Sequence, residues 1–204
     1  MVPVGVAATL ALAACGTLAW KVFRPKGVVY GSDALVMQCL FCDIAHGRTD
    51  PAKGGRPADQ RLQGRLLHET ADVAVFCNLA VHAHLHLLAI PKQHLQNISV
   101  LGPEHIPLLQ QLKAAGTEAL REILANEVDE ATGRRIRTPA EVEEEARNNF
   151  VFNFHVPPFN SIDHLHLHCL HLPSHGWLSG LKYNPTCCPV PWSCSCDDVL
   201  TKLQ

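Results

Sequence analysis

The chain has 204 residues, enough for one ordinary domain with a sizeable core and some appended segments. Its formal net charge is -2, so no basic surface favours nucleic acid, and no nucleic-acid partner is expected. The 13 histidines are unusually many, and histidine can act near neutral pH as a base, a nucleophile or a metal ligand.

The N-terminal stretch is uncharged from residue 2 to residue 20. A helix of about 20 such residues spans the hydrocarbon core of a bilayer, so residues 1–22 are expected to form a transmembrane anchor. Lys21, Arg24 and Lys26 follow, which favours a cytosolic location for the domain after the anchor. A cleaved signal-like segment is the alternative. The sequence thus predicts a membrane-anchored protein whose main domain faces the cytosol.

The first half of the chain after this stretch reads as a connector and a series of short elements. Residues 23–37 contain prolines and glycines and are expected to be the connector. A short helix is predicted within residues 37–48, followed by a loop rich in glycine, proline and charge over 49–60. Residues 65–80 alternate well enough for two strands, and residues 84–90 for a third that a proline ends.

The second half contains the only long helical pattern, with leucines at helical spacing over residues 103–124. A charged insertion at about 126–147 is expected to be solvated, and its Thr-Pro-Ala-Glu segment fits a helix start with a capping box. Strands are predicted over residues 148–155 and 164–172. The Cys-rich segment 184–204 is expected to pack on the domain.

Short strands around one main helix predict an α+β domain over residues 38–183, preceded by the membrane helix. Its sheet should be mainly antiparallel, with about five strands, one long helix and short helices. The nine cysteines are odd in number and crowd towards the C terminus, so they do not resemble a spaced disulfide framework. This distribution of cysteines favours a reducing compartment for the protein.

Histidines alternate with apolar residues in two runs, at residues 82–90 and 164–172. In a strand, His164, His166 and His168 would share one face, with successive side chains about 6.6 Å apart. That spacing lets a central imidazole act while its neighbours position and polarise it. Three imidazoles on a core face would be costly without partners, so we expect them to line a cleft.

The second of these runs resembles a known motif. Residues 164–170 match the His-φ-His-φ-His-φ-φ pattern (φ is apolar) of the histidine triad superfamily. Residues 88–94 resemble the upstream strand of that superfamily, and residues 39–47 resemble its opening segment. Residues 154–168 are similar to the Hint-like branch, and the likeness extends over about residues 38–204. The resemblance implies the fold of that superfamily.

The resemblance also implies a nucleotide-binding hydrolase. Such enzymes cleave the P–N bond of adenosine or other purine nucleoside 5′-phosphoramidates and release AMP and an amine. On the family pattern His166 is the nucleophile, forming a covalent nucleotidyl-histidine, which suits an imidazole that is nucleophilic when neutral. His164 would orient it, and His168 would contact the phosphate oxygens. The alternatives are a nucleotidyl transferase, a dinucleotide or cap pyrophosphatase, and a membrane-tethered nucleotide-binding module with little turnover.

Further site residues follow from position in the family pattern. Ser161 would contact the phosphate and the leaving group, and His94 would belong to a histidine relay. Asn78 would bind the ribose hydroxyls. The remaining nucleotide-binding candidates are two apolar base-pocket residues and two alternatives for the phosphate side: Ile44, Leu79, Asn153 and His155.

The first histidine run has weaker support. His86 aligns with a histidine that precedes the same strand in the family, whereas His82 and His84 match no functional position. No serine-bearing phosphate loop precedes this run. A structural role is therefore expected for all three.

A zinc site could form around Cys39 and Cys42, which are spaced as half of a tetrahedral site. Some superfamily members bind a structural zinc with such a pair and two histidines, and by position these would be His94 and His164. The resemblance implies that catalysis needs no cofactor, so this zinc would be structural. Besides the purine nucleotide substrate, the resemblance suggests a second copy of the chain as a partner, because Hint-like proteins commonly form homodimers.

Overall fold

The structure is a computed structural model. It describes most of the region in which the sequence predicts a folded domain. The described residues are 28–31, 36–49, 66–176, 180, 182–183 and 192–204. Most of the loop predicted over residues 49–60 lies outside them.

The prediction of a membrane-anchored protein is corrected. Within the described part of the chain, no helix is both long and apolar enough to cross a membrane. The 21-residue helix Ile106–Asn126 has the length, but four charged side chains interrupt its sequence. The predicted anchor at residues 1–22 lies outside the described residues, so neither the anchor nor the orientation derived from it has structural support.

One antiparallel sheet forms the centre of the fold, in the order β3-β4-β5-β7-β6-β8, and a separate two-stranded sheet joins β1 to β2. The prediction of an α+β fold with a mainly antiparallel sheet is confirmed. The main sheet has six strands because part of the Cys-rich segment adds a strand at its edge. The strands are β1 Val28–Tyr30, β2 Val36–Cys39, β3 His68–Glu69, β4 Val73–Cys77, β5 Ala83–Pro91, β6 Phe150–His155, β7 Leu167–Ser174 and β8 Ser193–Ser195.

Four α-helices are described, one before the main sheet in the chain and three after its first strands. They are α1 Leu40–Ala45, α2 Ile106–Asn126, α3 Pro139–Asn148 and α4 Cys196–Leu203. The apolar side of α2 packs on the sheet through four leucines that are 0% exposed: Leu109, Leu112, Leu120 and Leu124. Burying each such side chain contributes about 1.5–3 kcal/mol. The capping box is present, because the Thr138 hydroxyl accepts from the Glu141 amide and the Glu141 carboxylate accepts from the Thr138 amide.

A close approach between α2 and β7 sets the position of the strand that carries His168. A Cβ atom built on Gly116 would lie only 2.3 Å from the Sγ atom of Cys169 and 3.3 Å from its Cβ atom. Cys169 is fully buried. The absence of a side chain at Gly116 therefore lets the helix contact this strand directly.

The strand predicted over residues 164–172 begins later than expected. β7 begins at Leu167, so His164 and His166 lie in the segment before it. There the Leu165 amide donates to the Leu95 carbonyl, at 2.6 Å, instead of pairing in the sheet. Because the first two triad histidines precede the strand, strand alternation does not determine where their side chains point.

Candidate active site

Three imidazoles form a hydrogen-bonded row across three adjacent strands. His86 Nε2 on β5 lies 2.8 Å from His168 Nδ1 on β7, and His168 Nε2 lies 3.1 Å from His155 Nδ1 on β6. Each of the three side chains is at most 4% exposed. We call His86, His168 and His155 the imidazole row. The central position of β7 between β5 and β6 brings them together.

Burial keeps the rings of this row neutral. It lowers the pKa of His155 to about 3, with the positive charge of Lys182 as the next largest cause. Burial likewise holds the pKa of His86 and His168 well below 6.5, with smaller contributions from neighbouring charges. A neutral imidazole has one N–H donor and one acceptor nitrogen, so each member can donate once and accept once.

A backbone amide favours one direction of the row. The N–H of His82 donates to Nδ1 of His86, at 3.3 Å, which requires the His86 proton on Nε2, whereas the Asn78 amide nitrogen, 3.0 Å from Nε2, acts in the other direction. With the proton on Nε2, His86 donates to His168, and His168 donates to His155. The last proton, on His155 Nε2, is buried and has no hydrogen-bond partner in the described part of the chain. Because an unpaired buried donor is costly, the row ends in a group suited to bind an acceptor atom.

His166 has the opposite arrangement, with a free acceptor nitrogen. Its Nδ1–H donates to the backbone carbonyl of His164 at 2.6 Å, which leaves the Nε2 lone pair unprotonated. Burial lowers its pKa, although this hydrogen bond acts in the other direction. The ring lies 5.1 Å from that of His168 and lines a small cleft with His155 and Asn160. A neutral imidazole with a free Nε2 can act as a nucleophile.

His164 points away from the row and towards the two cysteines. Its Nε2–H donates to the Pro91 carbonyl at 2.9 Å, so Nδ1 is free. That Nδ1 lies 3.3 Å from Cys39 Sγ and 3.4 Å from Cys42 Sγ. His94 Nδ1 lies 3.4 Å from Cys42 Sγ. His94 therefore lies with the cysteines, and His86 has the place beside the triad that the relay prediction gave to His94.

The four side chains of Cys39, Cys42, His94 and His164 fit a zinc ion. Their donor atoms all lie within 4.8 Å of one another. Two sulfurs and two imidazole nitrogens form a common donor set for structural zinc. The bond from His164 Nε2–H to a backbone carbonyl is the support that metal-binding histidines usually have. The site would join α1 and the end of β2 to the residues around the triad.

The other predicted site residues are placed as follows. The amide of Asn153 donates to the Tyr183 carbonyl, whereas His155 Nε2 has no hydrogen-bond partner among the described residues. Ser161 is exposed and makes no side-chain hydrogen bond with the described residues. The amide nitrogen of Asn78 lies 3.4 Å from Nδ1 and 3.0 Å from Nε2 of His86.

The two apolar base-pocket candidates differ in their surroundings. Ile44 is buried in a cluster that includes Phe41 and Phe76. Leu79 is half-buried and follows Asn78 at the end of β4. The ring of Phe41 lies 5.3 Å from that of His166, so the Ile44 cluster contacts the triad, a contact that the sequence did not reveal.

Sequence reasoning missed several residues around the triad. His86 received a structural role although its position in the family pattern was a signal. Tyr183 contacts four histidine rings at centroid distances of 5.2–5.4 Å: His82, His86, His155 and His168. Asp163 is buried and accepts hydrogen bonds from four neutral side chains that precede it in the chain: Tyr30, Gln96, Asn97 and Asn160. No local pattern pointed to Tyr183 or Asp163.

An antiparallel α+β domain with three alternate histidines entering a central strand defines a histidine triad protein. Residues 38–183 match the family model described as scavenger mRNA decapping enzyme C-term binding. The chain belongs to this family, within the histidine triad superfamily. Membership of this family supports a hydrolase activity.

Two curated relatives and one solved structure illustrate the similarity. The mouse protein adenosine 5′-monophosphoramidase HINT3 is 30% identical over 174 residues, covering 81% of each chain. The Arabidopsis thaliana protein bifunctional adenosine 5′-phosphosulfate phosphorylase/adenylylsulfatase HINT4 is 29% identical over 147 residues, covering 71% of this chain and 77% of the relative. A HIT family hydrolase from Clostridium thermocellum superimposes with a TM-score of 0.47 at 17% identity, covering 70% of this chain and 97% of that one.

Proposed function

We propose that the protein is a nucleotide-binding hydrolase of adenosine or other purine nucleoside 5′-phosphoramidates. It cleaves the P–N bond through a nucleotidyl-His166 intermediate and releases AMP and an amine. The observation that carries this proposal is the state of His166, whose proton is held on Nδ1 while Nε2 remains available. The name of the mouse relative supports the same substrate class.

The reaction proceeds by two displacements at the α-phosphorus. His166 Nε2 attacks, the bond from Nε2 to phosphorus forms, and the bond to the leaving amine breaks as the amine takes up a proton from the solvent. Water then attacks the phosphorus and gives up a proton to the solvent, the bond to Nε2 breaks, and AMP leaves. During both steps His155 Nε2–H donates to a non-bridging oxygen, where negative charge develops.

The remaining residues position the substrate. His168 holds His155 in the correct tautomer through the imidazole row. Ser161, on the loop before the triad, contacts the phosphate and the leaving group. Asn78 binds the ribose hydroxyls, while Ile44 and Leu79 contact the base.

The full-length protein, given adenosine 5′-phosphoramidate, tests this function. We expect release of AMP, measured by chromatography, and a transient nucleotidyl adduct on the protein, detected by mass spectrometry after acid-free quenching. Binding of AMP without any release from the phosphoramidate would instead identify a nucleotide-binding module. Release without an adduct at His166 would exclude the covalent route.

We also propose that Cys39, Cys42, His94 and His164 hold a structural zinc. When bound, zinc would supply the positive charge that stabilises two thiolates and would fasten α1 to the triad segment. Catalysis needs no cofactor in this proposal, because His166 itself is the nucleophile.

Metal analysis of the purified protein checks the zinc site. We expect about one zinc per chain, and less than about 0.1 after Cys39→Ser or Cys42→Ser, because a tetrahedral site requires all of its ligands. These variants should also melt several degrees lower, since metal binding stabilises the folded state. Cys194→Ser is the control, because this half-buried cysteine lies on β8, outside the zinc set. If the unmodified protein is prepared with added zinc and still contains no bound zinc, the proposed site is excluded.

Substitution of His86 tests whether the imidazole row acts on catalysis. We expect His86→Leu to lower kcat about 10- to 100-fold with a smaller change in KM, because His168 loses its donor and the row loses its direction. His86→Gln, which retains a side-chain N–H, should recover part of the loss. Equal kcat values for the unmodified protein and His86→Leu would show that the row has no catalytic role.

A further inference from the structure

Lys182 lies beside the imidazole row and has no part in the function proposed above. Its Nζ atom lies 5.3 Å from the centroid of the Tyr183 ring. That ring in turn lies 5.3 Å from the ring of His155 and 5.2 Å from that of His168. The amide of Asn153 on β6 donates to the Tyr183 carbonyl, which attaches this segment to the strand that carries His155.

Among the described residues, the charge of Lys182 has no ion-pair partner. The sequence contains no Asp or Glu between Asp163 and Asp197, and no other Lys or Arg between Arg147 and Lys202. In the part of the chain that the structure describes, no carboxylate forms an ion pair with this lysine. The two flanking acidic residues are engaged elsewhere: Asp163 accepts from neutral donors, and Asp197 pairs with Lys113.

The Tyr183 ring also contacts His155, which has a second polar atom without a described partner. His155 is 4% exposed, and its Nε2–H has no hydrogen-bond partner among the described residues. Lys182 is partly buried, and burial lowers its pKa. After burial, its charge is the largest cause of the lowered pKa of His155. An anionic oxygen is the acceptor that each of these donors lacks, and hydrogen bonds to a charged acceptor are strong.

We infer that Lys182 is an anion-binding residue of the candidate active site, whose ammonium holds a negatively charged oxygen on the α-phosphate or on the group bonded to it. This inference rests on the proposed function. The row contributes only neutral imidazoles, so Lys182 supplies formal positive charge where the substrate carries negative charge. Adenosine has no phosphate, so this contact does not contribute to its binding affinity.

Binding of AMP and adenosine to the full-length protein tests the inference. We expect Lys182→Met to weaken AMP binding about 10- to 100-fold by calorimetry, while adenosine binding is unchanged. Lys182→Arg should retain most of the AMP affinity. The matched control is Lys202→Met, which removes an exposed lysine in the last turn of α4 and should bind AMP within twofold of the unmodified protein.

Two substrates distinguish the possible positions of the bound oxygen. An equal loss of kcat/KM in Lys182→Met with adenosine 5′-phosphoramidate and with adenosine 5′-phosphosulfate places it on the α-phosphate. A larger loss with the phosphosulfate, whose leaving group is an anion, places it on the leaving group. Equal AMP affinity in Lys182→Met and the unmodified protein overturns the inference alone. AMP binding that depends on Lys182, without any hydrolysis, overturns the proposed function alone.

Discussion

Replacing His166 with alanine should lower kcat/KM for AMP release from adenosine 5′-phosphoramidate by about 10⁴-fold or more. The reason is that the covalent intermediate forms on His166 Nε2, whereas the unprotonated Nδ1 of His164, which lines the same cleft, faces the two cysteines. His168 uses both ring nitrogens within the row, and the free nitrogen of His155 carries a proton. AMP itself should still bind within about tenfold of normal affinity, because the His155 donor remains.

The histidine run at residues 82–90 provides the matched control. His84 is exposed and lies 3.7 Å from Glu127, away from the row, so His84→Ala should change kcat/KM by less than about twofold. His166→Gln retains a polar side chain of similar size. It therefore distinguishes loss of the nucleophile from a folding defect in the alanine variant. Folded His166→Ala and His166→Gln proteins with more than a tenth of normal activity would show that His166 is not the nucleophile.

Gly116→Ala should lower the free energy of unfolding by about 3 kcal/mol. The added Cβ would lie 2.3 Å from Sγ and 3.3 Å from Cβ of Cys169, a short side chain that is fully buried. Either α2 or β7 must therefore move, although alanine is intrinsically the better helix former. Urea unfolding measures the loss, and the shift of β7 should also reduce activity in the folded protein.

A second substitution isolates the cause of this destabilisation. Cys169→Ala removes the sulfur, so the double variant Gly116→Ala/Cys169→Ala should recover much of the stability lost in the single glycine variant. Gly180→Ala makes the same chemical change where nothing lies within 4 Å of the added atom, and it should shift stability by less than about 0.5 kcal/mol. If Gly116→Ala is as stable as the unmodified protein, the close approach does not constrain the fold.

The elements that the sequence predicted correctly depend on local chemistry. The spacing of leucines from Leu109 to Leu124 indicated α2, and the Thr138–Glu141 pair indicated the start of α3. Both signals come from residues that lie within a single helix. The sixth strand of the main sheet was not predictable in this way, since β8 has only three residues and exists because it pairs with β6.

The candidate site could be predicted in composition but only partly in arrangement. The motif identified His164, His166 and His168, whereas only His168 of the three lies in β7. Two long-range contacts explain the difference: the Pro91 carbonyl turns His164 towards the cysteines, and the pairing of β5 with β7 brings His86 to His168. Neither contact can be inferred from spacing within one segment.

The backbone amide of His82 has a consequence for the whole imidazole row. A line of neutral imidazoles can order its protons in two ways, and the two orders have opposite dipoles. With the reverse order, a lone pair at His155 Nε2 would repel a phosphate. The His82 N–H favours the order that presents a proton there, on the far side of the row from the amide itself. Thus the histidine run at residues 82–90, whose imidazole at His84 is exposed, would favour the polarity of the proposed anion-binding end through its main chain.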